Sequence, residues 1–206
     1  YVQVAEKYSR AAAGGVGYAK AAGNYAAQFY PTSLAHKEGF QQIIWTDANT
    51  HEYLEEAGTM NVFFRINDTL VTAPISDRIL DGITRKSIIA LATRDGIAVE
   101  ERRITIQELI EASKNDSLKE IFGAGTAAVI SSISDFSHQQ VVYYLPKITT
   151  SFAKMFKTKI TYLKPRLGER YASTLTKISH NHKIITKYGK IDLKDYVTSF
   201  IKDEKL

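Results

Sequence analysis

Two β-rich runs, Asn61-Val62-Phe63-Phe64-Arg65-Ile66 and Leu70-Val71-Thr72-Ala73, flank Asn67-Asp68-Thr69. Turn-forming residues between two such runs read as a β-hairpin, and the rest of the chain has to be built around that pair. Gln42-Ile43-Ile44-Trp45-Thr46 is a shorter β-rich run ending at Asp47, where Asp47-Ala48-Asn49 makes a turn. Asn24 to Lys37 has helical spacing, gathers Ala26, Phe29, Tyr30 and Leu34 on one face, and stops at Gly39. Ile83 to Thr93 is a second helix, with Ile88, Leu91 and Ala92 inward and Gly96 just past its end. Thr105 caps a third through Ala112, and Glu108 three residues on completes a capping box. Ile97 to Ile104 reads as a strand with one wet face, and Gly123 to Gly125 as a turn feeding a strand toward Ile130. Tyr1 to Arg10 is strand or short helix. Helices are expected at Ile148 to Lys157 and Leu193 to Ile201, in a region broken by Pro165, Gly168 and Gly189. Strands outnumber helices and alternate with them too irregularly for a Rossmann sheet or a (β/α)₈ barrel, so the fold class is mixed α+β.

At 206 residues the chain can bury a substantial core, and no apolar run is long enough to cross a membrane. The absence of cysteine excludes disulfides, thiolate metal sites and a cysteine nucleophile. With no charged-then-apolar leader, this favours a cytoplasmic protein. No metal site is expected. The net charge of +5 is uneven: residues 151–206 hold 13 Lys/Arg against 5 Asp/Glu, the first 150 hold 14 against 17. A basic end can bind anionic partners, but it lacks the interleaved glycines and aromatics of an RNA-binding strand, and no nucleic-acid partner is expected.

The stretch Gly14-Gly15-Val16-Gly17-Tyr18-Ala19-Lys20-Ala21-Ala22-Gly23-Asn24-Tyr25 brackets one lysine with four glycines. Glycines allow close backbone approach and positive φ. The lysine has no acidic neighbour in sequence, and burial there would favour a reactive free amine. Such an amine attacks carbonyls, including that of pyridoxal phosphate. The run is neither a Walker loop nor a dinucleotide fingerprint, because Lys20 lacks a following Ser/Thr and stands where a third glycine belongs. Elsewhere Glu55-Glu56 supplies carboxylates just before a strand. Gly82-Ile83-Thr84-Arg85 opens a helix whose free N–H groups suit an anion, and Gly123-Ala124-Gly125-Thr126-Ala127 offers further donors.

Taken in order, Gly17-Tyr18-Ala19-Lys20-Ala21-Ala22-Gly23-Asn24-Tyr25, Glu56-Ala57-Gly58-Thr59-Met60-Asn61, Gly82-Ile83-Thr84-Arg85, Glu100-Glu101-Arg102 and Phe122-Gly123-Ala124-Gly125-Thr126-Ala127 resemble successive blocks of the branched-chain amino acid aminotransferases. These are fold-type IV (D-amino acid aminotransferase-like) pyridoxal 5'-phosphate enzymes, and the resemblance implies their large C-terminal domain over residues 1–171. Residues 172–206 are then a basic C-terminal extension of unknown role. The resemblance implies that Lys20 carries the cofactor covalently and moves the proton, and that Glu56 faces the pyridine nitrogen. Glu55, one place off the pattern, would point to the other face of the strand. Tyr25 would donate to the phenolic oxygen, Leu80 would pack on a ring face, and Ile83, Thr84 and Thr126 would hold the phosphate, with Arg10 nearby. The N–H groups of Ala127 and Ala128 would receive the substrate carboxylate, helped by Thr59.

The implied reaction moves an amino group reversibly between leucine, isoleucine or valine and 2-oxoglutarate, in a homodimer. Family members carry a smaller N-terminal domain ahead of these blocks, and a first residue of Tyr1 fits a C-terminal portion with reduced or no turnover alone. Asp81 replaces the proline usual before Gly82, and Ala128 and Ser131 stand where some relatives have a redox Cys-x-x-Cys. Two alternatives stay open: another fold-type IV enzyme (D-amino acid transaminase or aminodeoxychorismate lyase), or a non-catalytic fragment binding partners through its basic tail.

Overall fold

The computed structural model describes residues 1–167, 183–186 and 189–192. It divides into two compact units, Tyr1–Lys159 and Ile160–Leu206. The described elements, in order, are β1 (Val2–Val4), α1 (Ala22–Lys37), β2 (Gln42–Thr46), β3 (Leu54–Ala57), β4 (Met60–Ile66), β5 (Thr69–Thr72), α2 (Ile83–Arg94) and β6 (Ala98–Glu101). They continue with α3 (Ile106–Lys114), β7 (Leu118–Gly125), β8 (Val129–Ile133), β9 (Asp135–His138), β10 (Val141–Tyr144), α4 (Phe152–Leu167), β11 (Lys183–Thr186) and β12 (Gly189–Asp192). In the second unit β11 and β12 pair antiparallel. The helix expected at Leu193 to Ile201 lies outside the described residues.

In the first unit the expected hairpin is the hub of a ten-stranded sheet. β4 pairs antiparallel with β5 across Asn67 and with β7 along its other edge, and its first two residues also pair with the end of β3. β1–β2, β1–β9 and β5–β6 are parallel, so the sheet is mixed as the irregular element order implied. β4 is buried on both faces because its residues alternate between two packed layers. Val62 and Phe64 join Ile44, Leu54, Leu109 and Phe136 in one core cluster. Phe63 stacks on Phe122, ring centroids 5.4 Å apart.

Four elements differ from the sequence reading, α4 among them. The apolar face of α1 is not its buried face: Asn24, Gln28, Pro31 and Ala35 are buried, while Phe29 is 73% and Tyr30 62% exposed. Polar Asn24 and Gln28 are inside because their amides have backbone carbonyls to bond. The glycines at 123 and 125 lie within β7 rather than in a turn; the turn follows at residues 126–128. Glu55 and Glu56 sit inside their own strand, β3, rather than ahead of one. Thr105 caps α3 as expected, its hydroxyl accepting from the Glu108 N–H at 3.0 Å. The Glu108 carboxylate does not return the bond, because Arg102 holds it instead.

α4 begins at Phe152, four residues later than expected, and its start is fixed from across the sheet. The Glu120 carboxylate of β7 accepts from the Phe152 N–H at 2.7 Å, the Ala153 N–H at 3.1 Å and the Ser151 hydroxyl at 2.6 Å, and pairs with Arg65 at 3.1 Å. A buried anion on a helix N-terminus is favourable only while those donors stay in place. Glu120→Ala removes the acceptor of the Phe152 and Ala153 N–H groups and the buried partner of Arg65, and is expected to cost about 3 kcal/mol, read as a lowered urea midpoint.

Candidate active site

A cavity of about 570 Å³ opens at one end of the sheet, between the loop before α1, the β3–β4 turn, the start of α2 and the β7–β8 turn. Nine of the expected site residues line it: Lys20, Tyr25, Thr59, Leu80, Ile83, Thr84, Thr126, Ala127 and Ala128. Two do not, Glu56 and Arg10. Glu56 lies behind Asn61 and Leu80, which do line it, and feels the Lys20 charge.

The Lys20 loop carries two turn bonds of its own, Gly15 N–H to the Ala12 carbonyl and Ala19 N–H to the Val16 carbonyl, and is tied down further by other parts of the chain. Asn24 Nδ2 donates to the carbonyls of Val16 at 2.8 Å and Ala19 at 2.9 Å. Asp77 receives the Gly14 N–H on its carboxylate and the Tyr18 N–H on its carbonyl. Gly17 is buried so closely that a Cβ would stand 2.6 Å from Ala11 Cβ and 2.7 Å from Arg78 Cα. Lys20 itself is exposed at the cavity rim, against the expectation of a buried amine. The cavity is open on that side, and no described residue closes over the side chain.

Glu56 is the buried charge of the site, 3% exposed. Its Oε1 accepts from Asn61 Nδ2 and from the Leu80 N–H, each at 3.0 Å, and its Oε2 lies 2.9 Å from Arg10 Nε. Burial pushes its carboxyl up from 4.5 to about 7, against the downward pull of the Arg10 guanidinium and the Leu80 N–H. Glu55 points to the opposite face of β3, where Arg78 Nε donates to it at 2.5 Å. Burial raises the Glu55 carboxyl too, with Arg78 opposing. Arg10, expected near a phosphate, contacts Glu56 and the carbonyls of Gly17 and Arg78.

The anion cradle is the start of α2. Its N-cap, Gly82, supplies no side-chain bond, so the first N–H groups of the helix face the cavity uncapped. Gly82 is required there: a Cβ would come within 2.2 Å of Asn61 Oδ1. Asp81, in the place of the usual proline, brings an acid to the cradle, and Lys86 pairs with it at 2.6 Å. Opposite, Met60 lies over Gly123 and Gly125, where added Cβ atoms would meet its side chain at 2.6 and 3.1 Å.

Asn24, Met60 and Asn61 fall in the quoted blocks but were given no role from the sequence, and Asp77 and Arg78 were not singled out. Asn61 had a readable signal: a two-residue turn at Gly58-Thr59 sets it opposite Glu56. The Glu100-Glu101-Arg102 block lies away from the cavity, tying Glu101 to Arg85 and Arg102 to Glu100 and Glu108.

Comparison with known proteins agrees with this geometry. The family model described as amino-transferase class IV matches residues 4–136, more than half of the chain. The chain belongs to that family. It is 47% identical over 138 residues to a probable branched-chain-amino-acid aminotransferase of Staphylococcus aureus, and 46% over 138 residues to branched-chain-amino-acid aminotransferase 2 of Bacillus subtilis. Each match takes in 67% of this chain but 38% of the relative, so the chain spans well under half the length of these curated relatives. The solved branched-chain amino acid aminotransferase of Escherichia coli superposes with a TM-score of 0.66 at 29% identity, over 79% of this chain and 51% of that one. The fold is that of the fold-type IV aminotransferases.

Two outcomes follow from the packing and the charge. Gly17→Ala forces backbone atoms apart and is expected to cost about 1–3 kcal/mol, whereas Gly23→Ala, with open space around it in α1, should stabilise by up to about 1 kcal/mol; urea midpoints compare the pair. Because burial raises Glu56, its contribution is whole below pH 4.5 and is lost as pH climbs through about 7. Wild-type stability relative to Glu56→Gln should therefore fall by about 3 kcal/mol from pH 4 to pH 8, measured by urea unfolding at each pH.

Proposed function

We propose that this chain is the cofactor-binding part of a branched-chain amino acid aminotransferase that uses pyridoxal 5'-phosphate. The reaction is reversible amino transfer between leucine, isoleucine or valine and 2-oxoglutarate. One observation carries the reading: an amine, a phenol, an uncapped helix start and a donor-bearing turn share one cavity, with a buried carboxylate directly behind its wall. The residues fit the cofactor. The uncapped N–H groups of Ile83 and Thr84, with Thr126, suit a phosphate, and a protonated pyridine nitrogen would add to the Arg10 charge a second counter-charge for the buried Glu56 carboxylate.

When bound, pyridoxal phosphate supplies the electron sink that makes the substrate Cα–H acidic. This chain's residues do the rest. Lys20 would hold the cofactor covalently and would then carry the proton from and to substrate Cα. Its exposed place at the cavity rim leaves its amine free to move. Glu56, fixed by Asn61 and Leu80, would sit behind the ring nitrogen as its counter-charge. Tyr25 would donate to the phenolic oxygen, and Leu80 would pack against the ring. The N–H groups of Ala127 and Ala128 take the substrate carboxylate, with Thr59 beside them.

Incubation with pyridoxal phosphate, borohydride reduction and peptide mass mapping should place one adduct on Lys20 and none in Lys20→Ala. A label spread over surface lysines, unchanged in that variant, would remove the assignment.

A further inference from the structure

Arg10 is ten residues from Lys20 and outside the cavity lining, yet it reaches both sides of the proposed chemistry. Its side chain is 5% exposed, and its guanidinium meets three separate segments. Nε stands 2.9 Å from Glu56 Oε2 on β3, and Nη2 donates to the Gly17 carbonyl of the lysine loop at 3.2 Å and to the Arg78 carbonyl. The other Glu56 oxygen is already taken by Asn61 and Leu80, so Arg10 is the group holding Oε2. On the lysine loop, Asn24 grips the carbonyls of Val16 and Ala19, on either side of the one that Arg10 grips. No Cβ fits at Gly17, so the loop lies against Arg78 at a single depth.

We propose that Arg10 is a positioning residue that couples the two reactive groups, fixing the Glu56 carboxylate with one edge of its guanidinium and the Lys20 loop with another. This rests on the functional reading above for its purpose, though the coupling itself is a property of the chain without cofactor. The charged groups acting on Glu56 are Arg10 and Lys20, which favour its ionised form, and Glu55, which opposes it together with burial. A lysine at position 10 keeps the charge but loses the planar fork that meets a carboxylate on one edge and two carbonyls on another. The two functions of the guanidinium can therefore be separated.

The test uses the whole chain without cofactor, as wild type, Arg10→Met and Arg10→Lys. The Glu56 side-chain carboxyl is followed by ¹³C NMR, assigned by its loss in Glu56→Gln. Backbone amide exchange is followed at Tyr18 and Ala19, whose N–H groups bond the carbonyls of Asp77 and Val16. Arg10→Met should raise the Glu56 midpoint by about 1–3 pH units and speed exchange at both amides by about tenfold. Arg10→Lys should return the midpoint to within about one unit of wild type while leaving the exchange fast. Unchanged midpoint and exchange in Arg10→Met would overturn the proposal. Should that variant not fold, Arg10→Lys decides: wild-type exchange at Tyr18 and Ala19 overturns the coupling, fast exchange supports it. Borohydride labelling is run beside these. Absence of a Lys20 adduct in wild type counts against the cofactor reading and leaves the coupling standing on the NMR and exchange results.

Discussion

The site depends on a carboxylate kept out of water. Glu56 can be buried near the end of β3 because both of its oxygens meet a partner the fold brings to them, two hydrogen-bond donors on one and the Arg10 charge on the other. Asn61 comes from the facing strand, the Leu80 N–H from the loop before α2, and Arg10 from the segment leading to the lysine loop. Those partners come from, or lead into, three of the four segments that frame the cavity, so satisfying one acid also sets much of the cavity's geometry. A buried charge with a missing partner is severely destabilising, which makes the arrangement cooperative: the segments dock together or not at all.

The neighbouring Glu55–Arg78 pair extends that logic to the other face of β3. Arg78 lends its side chain to Glu55 and its carbonyl to Arg10, and its backbone presses on Gly17. One short strand thus carries two acids with different duties. Strand alternation sends one toward the cavity wall and the other into a brace behind it. The same device recurs at Glu120, which spends its carboxylate on the start of α4 rather than on chemistry.

Local pattern was legible where local forces decide. The hairpin around Asn67, the helix from Ile83, and the Thr105 cap are set by turn residues and periodicity within a few positions, and they came out as read. Nine of the site residues also converge on one cavity, because glycine and threonine at element ends mark where backbone donors stay free. What failed was decided by distant partners. Phe29 and Tyr30 made a plausible inner face for α1, but Asn24 and Gln28 have carbonyls to bond and took the inside. The Glu56 contact of Arg10 was not read at all, because only the folded chain brings the two together. The exposure of Lys20 likewise depends on which surfaces stand opposite it, which spacing along the chain does not encode.

Met60 and the two glycines beneath it set the width of one side of the cavity. Methionine is unbranched and turns easily about its side-chain bonds, so the wall is soft toward the cavity and hard toward the sheet. A methyl group gained at position 123 meets the far end of that side chain, which can swing aside, and one gained at 125 meets its Cγ and asks for only a small displacement. The cavity can therefore be resized on this side by single exchanges, with the thioether taking up each difference.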